Sequence, residues 1–276
     1  MPRRDQADYQ KFLGRVDQEI MSHRVIHDNK YTRWFQQGNL TVEDVRSFSV
    51  QFSVFSNLFI LAQLKKTFNA SSLEEMRASK EILMNELGVV FRRTSPPTPL
   101  LNSDPDYAAD PGLVSTEGTV QGGGFRFEAA HFEWLLNFIK PLGLTFNDVG
   151  KRQHGWSSTL HFTDGLERWY GSDDFSEGAG ASYAIENWAA AGFWKELIAG
   201  MKKFRDKSGL KLNLGFWTFH DRLEDQHADH TKEELKEVYF YEKFDEDKFI
   251  HAGQKMLDCC AAFWDGLYEN SRLRSH

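Results

Sequence analysis

Apolar residues recur at helical spacing along most of this chain. In the first such segment, from Asp8 to Val25, aromatic and aliphatic side chains return every three or four residues. Thr41 and Asp44 form a capping-box pattern that predicts a long helix to about Asn69. Further helices are predicted to begin at Ser71 or Ser72 and near Phe125, Asn147, Ala181 and Phe216, with Thr231 and Asp245 as caps of two closing helices. No strand or hairpin pattern is visible, so we predict an all-α fold of about seven or eight helices.

One segment, Thr94–Gly124, interrupts this pattern. It contains Pro96, Pro97, Pro99, Pro105 and Pro111 and ends in a run of three glycines. Segments of this length without secondary structure are uncommon inside a compact domain and usually form a functional loop or an insertion. Helices with matching apolar faces continue on both sides of it. We therefore predict one domain over residues 1–276 with a Pro/Gly-rich insertion at 94–124.

The composition excludes several classes of protein. The chain has 276 residues, of which 41% are hydrophobic, so it can bury a large core. Its net charge of −7 argues against nucleic acid or an anionic membrane as a partner, because both need a basic surface.

The two cysteines, Cys259 and Cys260, are adjacent on a predicted helix and point too far apart for a disulfide. No apolar stretch follows the charged N-terminus, and no window reaches the ~18 apolar residues of a membrane span. These features predict a soluble protein in a reducing compartment, the cytoplasm.

The stretch Phe216–His230, which reads FWTFHDRLEDQHADH, carries the first candidate chemistry. At about 100° per residue, His220, Glu224 and His227 lie within an arc of about 60° on one helix. Two imidazoles and a carboxylate on one stripe are suitable ligands for a borderline transition metal. A solvated, charged helix face would give the same pattern, so the interpretation depends on partners elsewhere in the chain.

Glu86, His131 and Glu186 are three such partners, because each lies on an otherwise apolar face of a predicted helix. Alone, each could be a hydrogen-bonded or ion-paired core residue. Basic partners are scarce on these faces, however, and a buried carboxylate without a partner costs several kcal/mol. Gathering the six side chains around divalent cations removes that cost. Aromatic residues beside these positions could line an apolar pocket, although aromatic residues at helical spacing more often belong to the core: Phe216, Trp217, Trp188 and Phe193.

A second set of ligands is also open. Helix bundles with a pair of irons use one glutamate from each of two helices and a Glu-x-x-His motif from each of two others. This chain holds the same parts as Glu86, Glu186, Glu128-x-x-His131 and Glu224-x-x-His227. That scheme includes Glu128 and omits His220. Mixed carboxylate and imidazole ligands favour iron and O2 over a structural zinc in either scheme.

Several segments give the chain a resemblance to a known family. They are WFQQGNLTVEDVRSFSVQF at 34–52, NELG at 85–88, EAAHFEWLLNFIKPLGL at 128–144, the Glu186 helix, the His220 to His227 stripe and LDCCAAFWDGL at 257–267. The sequence resembles the heme-oxygenase-like diiron oxidase and oxygenase superfamily, the metal-dependent relatives of the PqqC and TenA proteins. The resemblance covers nearly the whole chain outside the insertion and implies a heme-oxygenase-like bundle.

The resemblance also implies a function and a site. The site would hold two Fe(II) ions on Glu86, His131, Glu186, His220, Glu224 and His227. With O2 as co-substrate, the enzyme would oxidise a small amine, amino acid or fatty acid by N-oxygenation, C–C cleavage or desaturation, as part of a biosynthetic pathway. An external electron donor and a homodimer are further expectations from this family. In the family, the first Glu and His lie a short step apart on one helix, whereas here the insertion separates them.

Two other classes of function stay open on the same fold. One is a metal-independent PqqC/TenA-like enzyme or small-molecule binding protein, and the other is a helical interaction scaffold. The six inward metal-compatible side chains argue against the first class, because such a protein does not need to bury them. The scaffold, which would use the acidic surface and the Pro-rich segment, differs from a diiron enzyme in its metal content.

Overall fold

The computed structural model describes residues 4–91, 116–117, 125–127 and 129–273, with backbone only at 74, 90–91, 116–117, 125–127 and 223–231. In this part of the chain most residues are helical, and the predicted all-α class is confirmed. The first helices are α1 (Gln6–Val16), α2 (Arg24–His27), α3 (Lys30–Phe35), α4 (Val42–Phe68), α5 (Leu73–Glu86) and α6 (His131–Ile139). The second half contains α7 (Ser157–Gly165), α8 (Phe175–Ala189), α9 (Phe193–Ser208), α10 (Gly215–Val238) and α11 (Glu246–Leu273).

Shorter turns connect or extend these helices. A π-helical turn continues α1 over Asp17–Met21, and another continues α7 over Leu166–Tyr170. Three 3-10 turns lie between α6 and α7, at Lys140–Leu142, Phe146–Asp148 and Arg152–His154.

Predicted capping residues begin several of the helices. The Thr41 hydroxyl accepts a hydrogen bond from the Asp44 backbone N–H at 3.1 Å, and the Asp44 carboxylate accepts from the Thr41 N–H at 2.9 Å. Ser72 caps α5 and Asp245 caps α11, because their side-chain oxygens accept hydrogen bonds from backbone N–H groups of the first turn. Thr231, by contrast, lies inside α10, so the prediction that it begins a separate helix was wrong.

The predicted helix from Ala181 to Phe204 is two helices, because the chain turns between α8 and α9. Gly192 lies at this turn with φ of 97°, a left-handed backbone conformation that glycine adopts without strain. The segment Gly171–Gly180, predicted to be a loop, contains the start of α8, which Asp174 caps. Both errors concern where helices begin and end. The predicted inward positions Tyr183 and Ala189 are buried, but so are most other residues of α8.

A small antiparallel sheet joins the two ends of the insertion. Its strands are β1 (Val89–Phe91), β2 (Thr116–Glu117) and β3 (Phe125–Phe127), in the order β1-β3-β2. The sequence pattern showed no strand and predicted that a helix begins at Phe125, and both predictions were wrong. Apart from β2, the insertion lies outside the described residues.

The hydrophobic core centres on aromatic side chains of α4, α6 and α10. The Trp217 ring is fully buried and lies 4.8 Å from Phe52, 5.4 Å from Phe48 and 5.3 Å from Phe138, measured between ring centroids. The most extensive helix contact joins α8 and α11. This packing fixes the faces of α4, α8 and α10 that surround the site described below.

One helix within the described residues, α4, is long and apolar enough to cross a membrane by length and composition, with a window of mean hydropathy 1.3. The helix meets this criterion by its mean hydropathy, whereas the sequence prediction counted apolar residues, and Ser49, Gln51, Ser53 and Asn57 interrupt the apolar run of α4. In the fold, α4 contacts α5, α6 and α7. A core helix of a soluble protein meets the same criteria.

Cys259 and Cys260 are free and buried on α11. Burial raises the pKa of the Cys259 thiol to about 11, so the thiolate is disfavoured at neutral pH. The cytoplasmic location stays a prediction.

Candidate metal centre

Three of the predicted ligands meet at one point in the fold. Glu86 from α5, His131 from α6 and His220 from α10 each offer a ligand atom, and these atoms lie within 4.8 Å of one another. Glu186 from α8 lines the same cavity as these three residues. Four helices that are distant in sequence therefore bring two carboxylates and two imidazoles together.

The small sheet explains how Glu86 and His131 meet despite the insertion. β1 begins three residues after Glu86, and β3 ends four residues before His131. Val89 pairs with Phe127 in the antiparallel ladder, so the segments before and after the insertion lie side by side. The sheet thus restores the adjacency that the insertion would otherwise remove.

His131 is buried, and its Nδ1 atom lies 3.0 Å from Glu86 Oε2. This distance is short enough for an ion pair, yet Nδ1 has no hydrogen-bond partner within the described part of the chain. The two atoms approach each other without the geometry of a donor and an acceptor. Buried polar atoms nearly always have a partner. Two ligand atoms that face a common cation would have this arrangement.

Aromatic rings hold His131 in place. Its ring stacks on Trp134 at 5.1 Å and meets Phe219 edge-on at 5.0 Å, measured between ring centroids. The ring of His220 lies 4.9 Å away, nearly perpendicular to that of His131. These contacts fix the direction of the imidazole before any ligand binds.

The tautomer of His220 follows from its own helix. Its Nδ1 atom lies 2.7 Å from the carbonyl oxygen of Phe216. A carbonyl only accepts, so Nδ1 carries the proton and Nε2 has the lone pair in the neutral ring. Metal-binding histidines commonly donate their second ring N–H to a backbone carbonyl in this way. Trp194 stacks on the ring at 5.0 Å and fixes its plane.

A cavity of about 280 Å³ lies beside these residues. Its walls are mainly apolar and aromatic, from Phe52, Phe55, Phe59, Ile82, Ile185, Trp188, Ala189, Trp194 and Phe216. Its polar residues are Ser56, Glu81, Asn85, Glu86, His131, Glu186 and His220. Of the four aromatic residues considered in the sequence, all pack in the core, and Phe216 and Trp188 also line the cavity. The sequence pattern did not identify the wall that α4 provides, because apolar residues occupy several sides of this helix and the helical period therefore gives no single inward face.

Tyr170 adds a buried phenol near the carboxylates. Its hydroxyl donates to Gln63 Oε1 at 2.6 Å. Burial raises the pKa of Tyr170 well above its ordinary value, and the negative charges of Glu186, Glu234 and Glu86 raise it further. The phenol therefore stays neutral and keeps its role as a donor.

The described side chains fit a metal that prefers mixed nitrogen and oxygen ligands. Two imidazoles and two carboxylates suit iron, manganese or zinc, and no cysteine lines the cavity among the described residues. The fit rests on the convergence of the ligand atoms, on the unpartnered Nδ1 of His131 and on the tautomer of His220.

The other candidates lie outside what the structure describes. The backbone of Glu224 and His227 is helical within α10, about one and two turns after His220, but their side chains are not described. Glu128 lies outside the described residues. The choice between the two predicted ligand sets therefore stays open, although His220, which the bundle scheme omits, contacts the cluster.

The sheet gives a first prediction about the insertion. Phe91 pairs with Phe125, so an Asn-Gly turn can connect them directly. Replacing residues 92–124 with Asn-Gly is expected to preserve helix content and metal retention, because the ladder keeps Glu86 beside His131. Circular dichroism and metal analysis would test this.

The contrasting variant is Val89→Pro in the full-length chain, which introduces a residue without a backbone N–H and with a fixed φ into β1. We expect it to reduce metal retention more than the deletion does. A shortened chain that folds but retains no metal would show instead that the insertion contributes to the site.

Comparison with known proteins shows the fold. No family model and no curated protein matches the sequence. A domain of unknown function with a heme oxygenase-like fold from Shewanella denitrificans is 14% identical, with a TM-score of 0.59 over 99% of this chain and 95% of its own. A TenA homolog from Pseudomonas syringae pv. tomato is 12% identical, with a TM-score of 0.62 over 98% of this chain and 99% of its own.

A CADD-like protein of unknown function from Nostoc punctiforme is 13% identical, with a TM-score of 0.55 over 95% of this chain and 93% of its own. Identities this low show the fold alone. The predicted heme-oxygenase-like fold is confirmed.

Proposed function

We propose that this protein is a non-heme diiron oxidase or oxygenase that uses O2 to oxidise a small organic substrate. The observation that carries the proposal is the convergence of Glu86, His131 and His220 on one point of a cavity that Glu186 also lines. Glu224 and His227 complete the proposed ligand set from the following turns of α10. A pair of ferrous ions would supply the electrons that activate O2.

The residues of the chain have separate roles in this proposal. Glu86 and Glu186 balance the charge of the ions, and His131 and His220 provide neutral nitrogen ligands. The backbone carbonyl of Phe216 holds His220 in the tautomer that leaves Nε2 as the ligand. The aromatic wall of α4 excludes water and leaves room for an apolar substrate beside the ligands.

Iron loading tests the proposal. Protein that is loaded with Fe(II) without oxygen and then desalted is expected to retain about two irons per chain, as bundle diiron sites do. Exposure to O2 should give an absorbance transient in stopped-flow measurements. Retention of less than about one iron per chain, with no transient, would contradict the proposal. It would favour a metal-independent enzyme or a binding protein on this fold.

The variant Glu186→Ala tests whether this carboxylate is needed for the absorbance transient. It removes a carboxylate from the cavity but leaves α8 intact, since alanine favours a helix. We expect the transient to disappear while the helix content stays close to that of the wild type. A Glu186→Ala protein with an unchanged transient would exclude Glu186 from the site.

A further inference from the structure

We infer that the cavity binds a short apolar amine, with its ammonium group on Glu81 at the mouth and its apolar end toward Glu86, His131 and His220. The inference deepens the proposed function, on which the role of the inner end rests. Glu81 is not one of the predicted metal ligands.

The face of α5 runs from solvent into the cavity. It contributes Glu81, Ile82, Asn85 and Glu86 to the lining. At about 100° per residue, these positions span about 140° of the helix surface, with Glu81 at one edge and Glu86 at the other. Glu81 and Asn85 are exposed, whereas Glu86 is half-buried. Glu81 therefore lies at the mouth and Glu86 at the inner end.

The carboxylate of Glu81 is available to a ligand. Neither a hydrogen bond nor an ion pair joins it to another residue in the described part of the chain. Carboxylates form their strongest hydrogen bonds with charged donors, and an ammonium group is such a donor near neutral pH. The mouth of the cavity thus has an unpaired negative charge beside an apolar interior.

The walls favour an amine over a carboxylate. The rings of Phe55, Phe59 and Trp188 line the cavity, and aromatic faces attract cations as well as alkyl chains. The described lining residues include no lysine or arginine. A carboxylate headgroup at the mouth would lose hydration without gaining a cationic partner and would face Glu81. This charge distribution favours binding of an amine over binding of a carboxylate of the same chain length.

The size of the cavity limits the length of the amine. Its volume of about 280 Å³ is at the small end of ligand sites. Five residues of helix separate Glu81 from Glu86, or about 7.5 Å along the axis. A saturated chain of roughly six carbons covers that distance. The structure therefore indicates an amine of about this length rather than a long lipid chain.

Binding measurements with three ligands of equal length test the inference. Trp188 and Trp194 line the cavity, so tryptophan fluorescence can report occupancy by hexylamine, hexanoate or hexan-1-ol. Hexylamine is expected to bind at least about tenfold more tightly than hexanoate. Glu81→Gln should weaken hexylamine binding about tenfold and leave hexan-1-ol binding unchanged. The control is Glu269→Gln, which removes one negative charge from an exposed position on α11 outside the cavity.

Equal affinities for hexylamine and hexanoate would overturn the inference, as would equal effects of Glu81→Gln and Glu269→Gln. Iron content, measured on the same samples, separates this outcome from failure of the proposed function. Iron retention without an amine preference would contradict only the role of Glu81. An amine preference without iron retention would support Glu81 as the recognition residue and contradict the diiron chemistry.

Discussion

Replacing His131 with alanine is expected to lower the affinity for iron by at least about tenfold, because even residues that only orient metal ligands contribute ten- to a hundredfold. His131 is buried, and its Nδ1 atom lies 3.0 Å from Glu86 Oε2 without a hydrogen-bond partner among the described residues. The variant removes the nitrogen and leaves the carboxylate beside a cavity. Iron retained after desalting, measured by mass spectrometry, is the direct readout.

His161→Ala is the matched control for this variant. His161 is exposed on α7 and lies outside the cavity, so its removal should leave iron retention at the wild-type value. Both proteins should have the helix content of the wild type. Equal iron retention in His131→Ala and His161→Ala would contradict the assignment of His131 and would favour an ordinary ion pair between His131 and Glu86.

The helical period predicted inward faces for the candidate ligands, and four of these residues line the cavity: Glu86, His131, Glu186 and His220. Glu186 is the only charged residue on the predicted apolar stripe of its own helix, and it lines the cavity. His220 was predicted from its spacing to Glu224 and His227, and it joins the cluster with Glu86 and His131. The period predicted these positions because a helix turns each residue in a fixed direction, and the family resemblance favoured the set that includes His220.

The sequence pattern did not reveal what depends on contacts between distant segments. β1 and β3 have three residues each, and their pairing crosses the whole insertion, so neither shows the alternation of a longer strand. The break at Gly192 was missed because the apolar period continues across it into α9. Glu81 was missed because an exposed glutamate on a helix is ordinary until the cavity beside it is known.

Replacing Gly180 with alanine is expected to destabilise the protein where α8 crosses α11. A Cβ atom at Gly180 would overlap the carbonyl oxygen of Phe249 and lie 2.8 Å from its carbonyl carbon. Backbone atoms cannot turn away as a side chain does, so Gly180→Ala must separate the two helices. We expect a loss of about 1–3 kcal/mol in the free energy of unfolding, as for other overpacked cores. Urea unfolding would measure it.

Gly14→Ala distinguishes this steric effect from helix propensity. Gly14 lies on α1 with open space around its Cβ position, so alanine there should stabilise the protein by roughly 0.5–1 kcal/mol. Gly180→Ala also connects packing to function, because α8 carries Glu186 less than two turns further on. The Gly180→Ala protein should therefore retain less iron than the Gly14→Ala protein, even at urea concentrations below the unfolding transition. If the two variants unfold at the same urea concentration and retain equal iron, α8 is not held by this crossing, and another contact must position Glu186.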